Sequence, residues 1–346
     1  MIDLISDTVT LPTPEMRKAM AEAEVGDSQR GEDPTVNALQ DAICELLDKE
    51  AALFLPSATM ANQIAFKTHT KPGDEIIMDW RSHAIQFEGG APAFLSGVSI
   101  YPLHGERGIF TEENVLAALR PDDPHAPRSR LVSVEQTQNL GGGAIWPLGK
   151  LMAVADIARQ HGLSVHMDGS RLMNAVVASG ISAKEYAYPV DSVTLCFSKG
   201  LGAPVGAALA GEKDFIKEAR RYQQVFGGAM RQAGIIAAGA LYALRHHVDR
   251  LAEDHANAKL LAERLADEGI DIKPEEVETN ILFFQTDSIG MTAIEFTQKM
   301  REREVRMGAY KDNRVRAVTH LGITRKEILE VARRVHEMLV DERLGR

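Results

Sequence analysis

Leu163-Ser164-Val165-His166-Met167-Asp168-Gly169-Ser170-Arg171 and Ser192-Val193-Thr194-Leu195-Cys196-Phe197-Ser198-Lys199-Gly200 are the two stretches that decide the fold. Each is a short run of strand-forming residues that ends in one ionisable side chain followed by glycine, as a buried strand would deliver a charge to its C-terminal end. In an open α/β sheet, ligands bind in the crevice outside the carboxyl ends of the strands, so Asp168 and Lys199 would meet there. Taken singly, Asp-Gly is often a turn and Ser-Lys-Gly a solvated loop. The pair, in this order and among alternating strands and helices, points instead to a Schiff-base lysine backed by a carboxylate. The implied cofactor is pyridoxal 5'-phosphate.

Working outward, 346 residues with 45% hydrophobic content can bury a large core, and the length favours a large and a small domain. Only 5% of residues are aromatic, a balance that suits aliphatic helices packed on a mostly parallel sheet. The net charge of -10 leaves no basic stripe to neutralise phosphates, so nucleic acid is not expected as a partner. The two cysteines, Cys44 and Cys196, sit in apolar periodic runs and read as reduced core residues, not as a disulfide or metal pair. No run reaches the roughly 18 apolar residues that span a bilayer, and the start lacks a basic region followed by an apolar stretch. The expectation is a cytoplasmic protein with no metal and no membrane contact.

Upstream of the deciding stretches, Thr13-Pro14 reads as a helix start, and Gly26 to Pro34 as a loop. Val36, Leu39, Ile43, Leu46 and Leu47 recur at helical spacing, and Ala51 to Leu55 reads as a strand that Pro56-Ser57-Ala58-Thr59 turns into a helix. A helix start presents unpaired N–H groups to an anion, so this turn is a candidate phosphate site; a plain Ser/Thr cap explains the same residues. His83 follows the strand Glu75 to Asp79 and would cap a helix, satisfy a core hydrogen bond or lie on a cofactor ring. The strand Arg130 to Glu135 leads to Gly141-Gly142-Gly143, weak evidence of a phosphate loop because it lacks the order of a dinucleotide fingerprint, and equally a loop of backbone approaching a ligand. The run from Met230 through His246 to Leu265 is predicted as one long connecting helix, with strand, helix, strand, helix after it.

These residues together resemble the low-specificity L-threonine aldolases, a group of β-eliminating lyases within the fold-type-I pyridoxal phosphate enzymes. The carrying stretches are Ser6 to Thr10, Gly31 to Asn37, Pro56 to Asn62, His83 with Phe87 to Gly90, His125, Asp168 to Arg171, Leu195 to Gly202, Gly227 to Gln232 and Val318 to Leu321. The resemblance implies the aspartate aminotransferase type of α/β fold: a large domain over 1–245 with a mostly parallel seven-stranded sheet, and a small α+β domain over 246–346. It implies retro-aldol cleavage of a β-hydroxy-α-amino acid to glycine and an aldehyde. Lys199 would carry the cofactor and Asp168 would pair with its ring nitrogen. His83 would stack on the ring, and His83 or His125 would be the base. Arg171, Arg316 and Ser6 would hold the cofactor oxygen and the substrate carboxylate, since a guanidinium fork matches two oxygens. Ala58, Thr59 and a neighbouring subunit's copy of Arg231 would bind the phosphate, which makes a homo-oligomer, a dimer of dimers with shared sites, the expected assembly.

The chain departs from the family pattern at four places. Arg30 stands where a tyrosine is usual, Ala58 replaces a glycine, Gln138 interrupts the usual Thr-His-Asn, and Ile85 or Gln86 replaces an aromatic. Arg30 either reaches the pocket and favours a substrate with a second carboxylate, or is solvated or paired with Glu32 or Asp33. Other reactions on the same scaffold, namely cleavage of β-hydroxyaspartate or phenylserine, racemisation, transamination and β-elimination, need the same lysine and aspartate. A dinucleotide-dependent reductase is disfavoured because no glycine fingerprint follows the first strand. A non-catalytic α/β binding module, with Lys199 incidental, is the remaining alternative.

Overall fold

The computed structural model describes residues 1–345. Twelve strands form among them: β1 (Ile2–Asp3), β2 (Ala51–Leu55), β3 (Asp74–Asp79), β4 (Ser99–Leu103), β5 (Arg128–Glu135), β6 (Ser164–Gly169), β7 (Ser192–Cys196), β8 (Ala207–Gly211), β9 (Ile281–Gln285), β10 (Val305–Arg306), β11 (Gly308–Ala309) and β12 (Arg314–Val318). Seven of them make one sheet in the order β2-β8-β7-β6-β5-β3-β4. The neighbours from β7 to β4 run parallel, while β8 is antiparallel to both β7 and β2. The fold is therefore the expected one, a mostly parallel seven-stranded sheet with helices packed on it and a second, smaller α+β unit.

Local signals set the ends of the helices. Thr13 caps Pro14–Ala21 by accepting from the N–H of Met16, and Ser57 caps Ala58–His69 by accepting from Met60. Asp33 caps Pro34–Leu47 and does more than a cap. Its Oδ1 accepts from Val36, and its Oδ2 accepts from both Gly26 and Gly234, so one fully buried carboxylate ties the loop before the helix to a segment two hundred residues later. The loop read from composition at Gly26 to Pro34 is thus a fixed one.

Two expectations change. The long connecting helix is two helices, Gly234–His246 and Leu251–Asp267. The break falls at His247, whose ring is buried and bonds the Leu201 carbonyl at 2.7 Å, which holds the chain to the large unit before the second helix starts. The boundary at 245 also misplaces the N-terminus. β1 pairs with β10, and Ile2 and Leu4 belong to the apolar core of the smaller unit with Leu261, Phe296, Val315 and Val331. Chain order alone would have put residues 2–4 in the large unit.

The small sheet, in the order β11-β12-β9, is antiparallel. The large core is filled by side chains such as Trp146, Tyr186, Phe110 and Phe197, each fully buried. Burial of a large apolar side chain contributes about 1.5–3 kcal/mol. Cys44 is half-buried and Cys196 buried, and both are free thiols. Among the described residues no helix is long and apolar enough to cross a membrane.

Gly169 has a steric reason that the sequence hides. A Cβ there would stand 2.5 Å from the carbonyl oxygen of Thr194 on β7, so the glycine lets β6 and β7 stay in register beside Asp168. Gly169→Ala is expected to lower stability by about 1–3 kcal/mol through this overpacking, read as a fall in the urea midpoint relative to the parent protein. An unchanged midpoint would contradict the close approach.

Candidate active site

One face of the central strands is polar although buried. Parallel neighbours in register point the same way, so Ser133 and Glu135 on β5, His166 and Asp168 on β6, and Ser192 and Thr194 on β7 share the face covered by the helix Ala58–His69. The opposite face of β6 and β7 carries Val165, Met167, Val193 and Leu195, all buried. The polar face opens at the C-terminal ends of the parallel strands, where Asp168 and Lys199 emerge.

Asp168 is buried and bonded on both oxygens. Its Oδ1 accepts from the N–H of Ser170 at 3.0 Å and its Oδ2 from the Asn62 amide at 2.8 Å. Burial opposes its ionisation, but the Lys199 ammonium, His83 and these hydrogen bonds prevail and hold the carboxyl below its ordinary value. The Lys199 charge thus acts on the carboxylate that the sequence singled out with it. Each Asp168 oxygen still has a lone pair for a further donor.

Beside it, Glu135 has the opposite fate. Burial first, and then the Asp168 charge, push its carboxyl up to about 7. Glu135 works as a two-armed clamp, Oε2 accepting from the His83 N–H at 2.7 Å and Oε1 from the Asn139 N–H at 2.9 Å. His83 is fixed a second time, because its Nδ1 lies 2.8 Å from Oε1 of the buried Glu88, which also accepts from the amides of Asn62 and Gln63. Burial works against a charged His83 ring, yet the Glu88 bond and the Asp168 charge raise its pKa above the usual value. Nε2 is the ring nitrogen left for other chemistry.

The smaller unit contributes Arg316 from β12. This buried guanidinium donates to Asn139 Oδ1 at 2.7 Å, while its Nε is buried with no partner. Burial and the nearby Arg171 charge pull it below its ordinary pKa. The expected role of Arg171 at cofactor or substrate oxygens meets a competing partner. Its Nε and Nη2 are each 2.7 Å from the two oxygens of Asp7, a buried bidentate pair. Asp7 also accepts from Asn280 at 3.2 Å, and although burial disfavours its charge, Arg171 and then Lys199 keep its pKa far below normal. Ser6 turns its hydroxyl to its own loop, accepting from Thr8 N at 3.2 Å.

Three predicted residues are exposed and pair with acidic side chains outside this cluster. His125 precedes the N-terminal end of β5, the edge of the sheet opposite Asp168; its side chain is 94% exposed and pairs with Asp123. An eight-residue strand spans about 25 Å, so within one chain His125 does not reach Lys199. Arg30 is 73% exposed and faces Asp27 at 3.7 Å, neither Glu32 nor Asp33. Arg231 is 60% exposed and bonds the same Asp27 at 2.9 Å. The run Gly141 to Gly143 packs closely on protein: a Cβ on Gly141 would meet the Arg107 carbonyl at 2.0 Å, and the Gly143 carbonyl accepts from Thr279 at 2.8 Å.

Sequence reading missed Asp7, Asn62, Glu88, Glu135, Asn139 and His166. Asp7, Asn62 and Glu88 lie inside stretches that carry the family resemblance, but only Ser6, Ala58, Thr59 and His83 were given roles there. Their spacing along the chain contains no sign of their partners.

The residues fit a flat, cationic-ring cofactor with a phosphate. Asp168 offers a held anion, Lys199 an amine, and Arg316 an unpartnered buried donor. In the first turn of Ala58–His69, Met60 and Ala61 find acceptors in Ser57, whereas among the described residues none is found for the N–H groups of Ala58 and Thr59.

Comparison with known proteins agrees with this geometry. The family model described as beta-eliminating lyase matches residues 3–288. The chain is 43% identical over 333 residues to the low specificity L-threonine aldolase of Escherichia coli (strain K12), covering 96% of this chain and 97% of that one. Among solved structures it is similar to the Leishmania major threonine aldolase, with a TM-score of 0.84 at 20% identity over 98% of this chain and 100% of that one. It also matches a chain described as SPT with PLP, with a TM-score of 0.77 at 17% identity over 99% and 88% of the two chains. These two structural likenesses speak for the fold.

The clamp predicts a pH effect. A carboxyl raised from 4.5 to about 7 keeps its proton in the folded chain after the unfolded chain has lost it. Its contribution is therefore most favourable below pH about 4.5 and is lost as the pH rises towards 7. In Glu135→Gln, that fall in stability between the two pH values should flatten in urea titrations. One backbone N–H would then face an amide nitrogen, and activity should drop roughly three- to tenfold, the size of one lost neutral hydrogen bond.

Proposed function

Since the chain belongs to the beta-eliminating lyase family and lies among the low-specificity L-threonine aldolases, we propose that it cleaves the Cα–Cβ bond of a β-hydroxy-α-amino acid such as L-threonine, giving glycine and an aldehyde. Pyridoxal phosphate, when bound, supplies the electron sink for the bond broken at Cα. The observation that carries this reading is the Asp168 carboxyl kept ionised in a buried site by the charge of Lys199, at the ends of adjacent parallel strands. Lys199 would hold the cofactor aldehyde, Asp168 its ring nitrogen, and the N–H groups of Ala58 and Thr59 its phosphate.

The protein's own groups then divide the work. Arg316 would take the substrate carboxylate, its Nε being a donor with no protein partner and its Nη2 steadied by Asn139. Arg171 would act through Asp7, adding positive charge behind the carboxylate site while its own fork stays occupied. His83 would lie against the cofactor ring and take the β-hydroxyl proton on Nε2. Glu88, bonded to Nδ1, fixes the tautomer and favours the protonated ring that follows. Removal of that proton lets the β-carbon leave as a carbonyl. The proton is then available for return to the α-carbon, directly or through Lys199, before glycine departs.

Arg231, exposed and held by Asp27, is proposed to complete the phosphate site of a second copy, which makes the active protein a homo-oligomer. Arg30 has Asp27 as its ion-pair partner at 3.7 Å, which supports the reading of a solvated, paired residue over one that selects a second carboxylate. A cytoplasmic home fits the free thiols Cys44 and Cys196.

The test is incubation of the pyridoxal phosphate-loaded protein with L-threonine, followed by assay of acetaldehyde and glycine. Lys199→Ala should abolish both products, and His83→Ala should cost about 10²–10⁴-fold, the usual contribution of a general base. Cofactor uptake without acetaldehyde would refute the aldolase reading and favour another reaction on the same scaffold.

A further inference from the structure

Behind Asp168 a line of side chains runs beneath the helix Ala58–His69, and its hydrogen-bond direction can be deduced atom by atom. Asn62 Nδ2 lies 2.8 Å from Asp168 Oδ2 and 3.2 Å from Glu88 Oε1. An amide nitrogen only donates and has two hydrogens, so both are committed to these two oxygens, and Asn62 Oδ1 is left as an acceptor. Its partner, at 3.1 Å, is Nε2 of His166, which must carry the hydrogen. Burial, and then the neighbouring His69, push His166 down to about 3, so its ring is neutral and its Nδ1 accepts. The hydroxyl of Ser192, 2.8 Å away, therefore donates to Nδ1. Having given its hydrogen, Ser192 accepts from Nε2 of His69 at 2.8 Å. Burial takes His69 down to about 4, and its ring stacks on Phe215 with centroids 4.4 Å apart.

We propose that His69, Ser192, His166 and Asn62 are positioning residues for the cofactor's ring nitrogen, a one-way chain of donors that aims Asp168 and keeps it ionised. The proposal rests on the reading that a bound pyridoxal phosphate meets Asp168. Three observations carry it. Every donor in the line points towards the carboxylate, and aligned hydrogen bonds in a low-dielectric interior reinforce one another. The other face of the same two strands is filled by Val165, Met167, Val193 and Leu195, so an apolar filling of this layer is available to the fold. The line also ends on Asp168, at the C-terminal end of the strand beside the one that leads to Lys199, and its side branch ends on Glu88, which holds His83. The charged and titratable groups around Asp168 are Lys199 from the loop after β7, His83 and Glu88 from the segment after β3, and Glu135 from β5. Asp191 acts at the outer end, on His69.

The experiment uses the full chain loaded with pyridoxal phosphate and four variants, Ser192→Ala, Ser192→Thr, His69→Phe and His69→Gln. Three quantities are read: the pH midpoint of the cofactor's visible absorption band, the cofactor dissociation constant, and the melting temperature of the cofactor-free protein. Ser192→Ala and His69→Phe remove a donor and should shift the absorption midpoint and weaken cofactor binding roughly three- to tenfold, the scale of one buried hydrogen bond. Ser192→Thr keeps the hydroxyl and His69→Gln keeps a donor near the position of Nε2, so both should return towards the parent. Should Ser192→Ala fail to fold, the pair at His69, at the outer end of the line, decides alone. Variants that melt earlier yet match the parent in absorption midpoint and cofactor affinity would overturn the proposal, because the line would then serve packing only. A parent protein that takes up no pyridoxal phosphate would remove the functional reading and this one together, whereas a normal parent with unaltered variants removes only this one.

Discussion

A carboxylate withdrawn from water stays charged only if the protein around it supplies what water would have supplied, and Asp168 is the place where this chain meets that demand. Burial would favour the neutral acid; the Lys199 ammonium, His83, the Ser170 N–H and the Asn62 amide together reverse the preference. Its neighbour Glu135 shows the consequence. Two carboxyls on adjacent strands cannot both ionise cheaply, and with Asp168 charged the proton settles on Glu135. One of the pair becomes a buried anion, and the other a clamp that positions His83 and Asn139.

The second dependence runs between the two units of the chain. The N-terminal residues leave the small core at Leu4 and deliver Asp7 into the large unit, where it pairs with Arg171 and accepts from Asn280. From the other direction, β12 sends Arg316 to Asn139. The family stretch at Val318 to Leu321 belongs to the same wiring: the Thr319 hydroxyl bonds the Asp254 carbonyl at 2.6 Å and His320 bonds the Asp3 carbonyl at 2.9 Å. Buried charge therefore enters from both units, Arg316 from the small one and Arg171 from the large one, and the N-terminal segment spans both. Buried, bidentate and charged contacts of this kind are costly to break once one partner is removed, which fixes the relation between the two halves of the site.

Much of the fold was legible because its signals are local. Strand-forming runs of the right length, the caps at Thr13 and Ser57, and the alternation of strand and helix are set by residues close in the chain. The placement of Asp168 and Lys199 followed, since parallel strands put their C-terminal ends on one edge. The single long helix after Met230 was not legible as two, because its break depends on His247 finding the Leu201 carbonyl. The partner of Arg171 was hidden for a similar reason: the carboxylate that takes its fork comes from the chain's seventh residue.

By itself, the sequence determined the α/β class, the aspartate and lysine at the strand ends, the cofactor they imply and the family to which the stretches belong. Tertiary structure alone decided which charges stay paired and which face the site. It put Asp7 on Arg171, left Arg316 Nε free, turned His125 to the opposite edge and lined one face of the sheet with Asn62, His166 and Ser192. The reason is that propensity, periodicity and capping act over a few residues, whereas the protonation and reach of a buried side chain depend on partners brought from a hundred or more residues away, and on the water that their packing excludes.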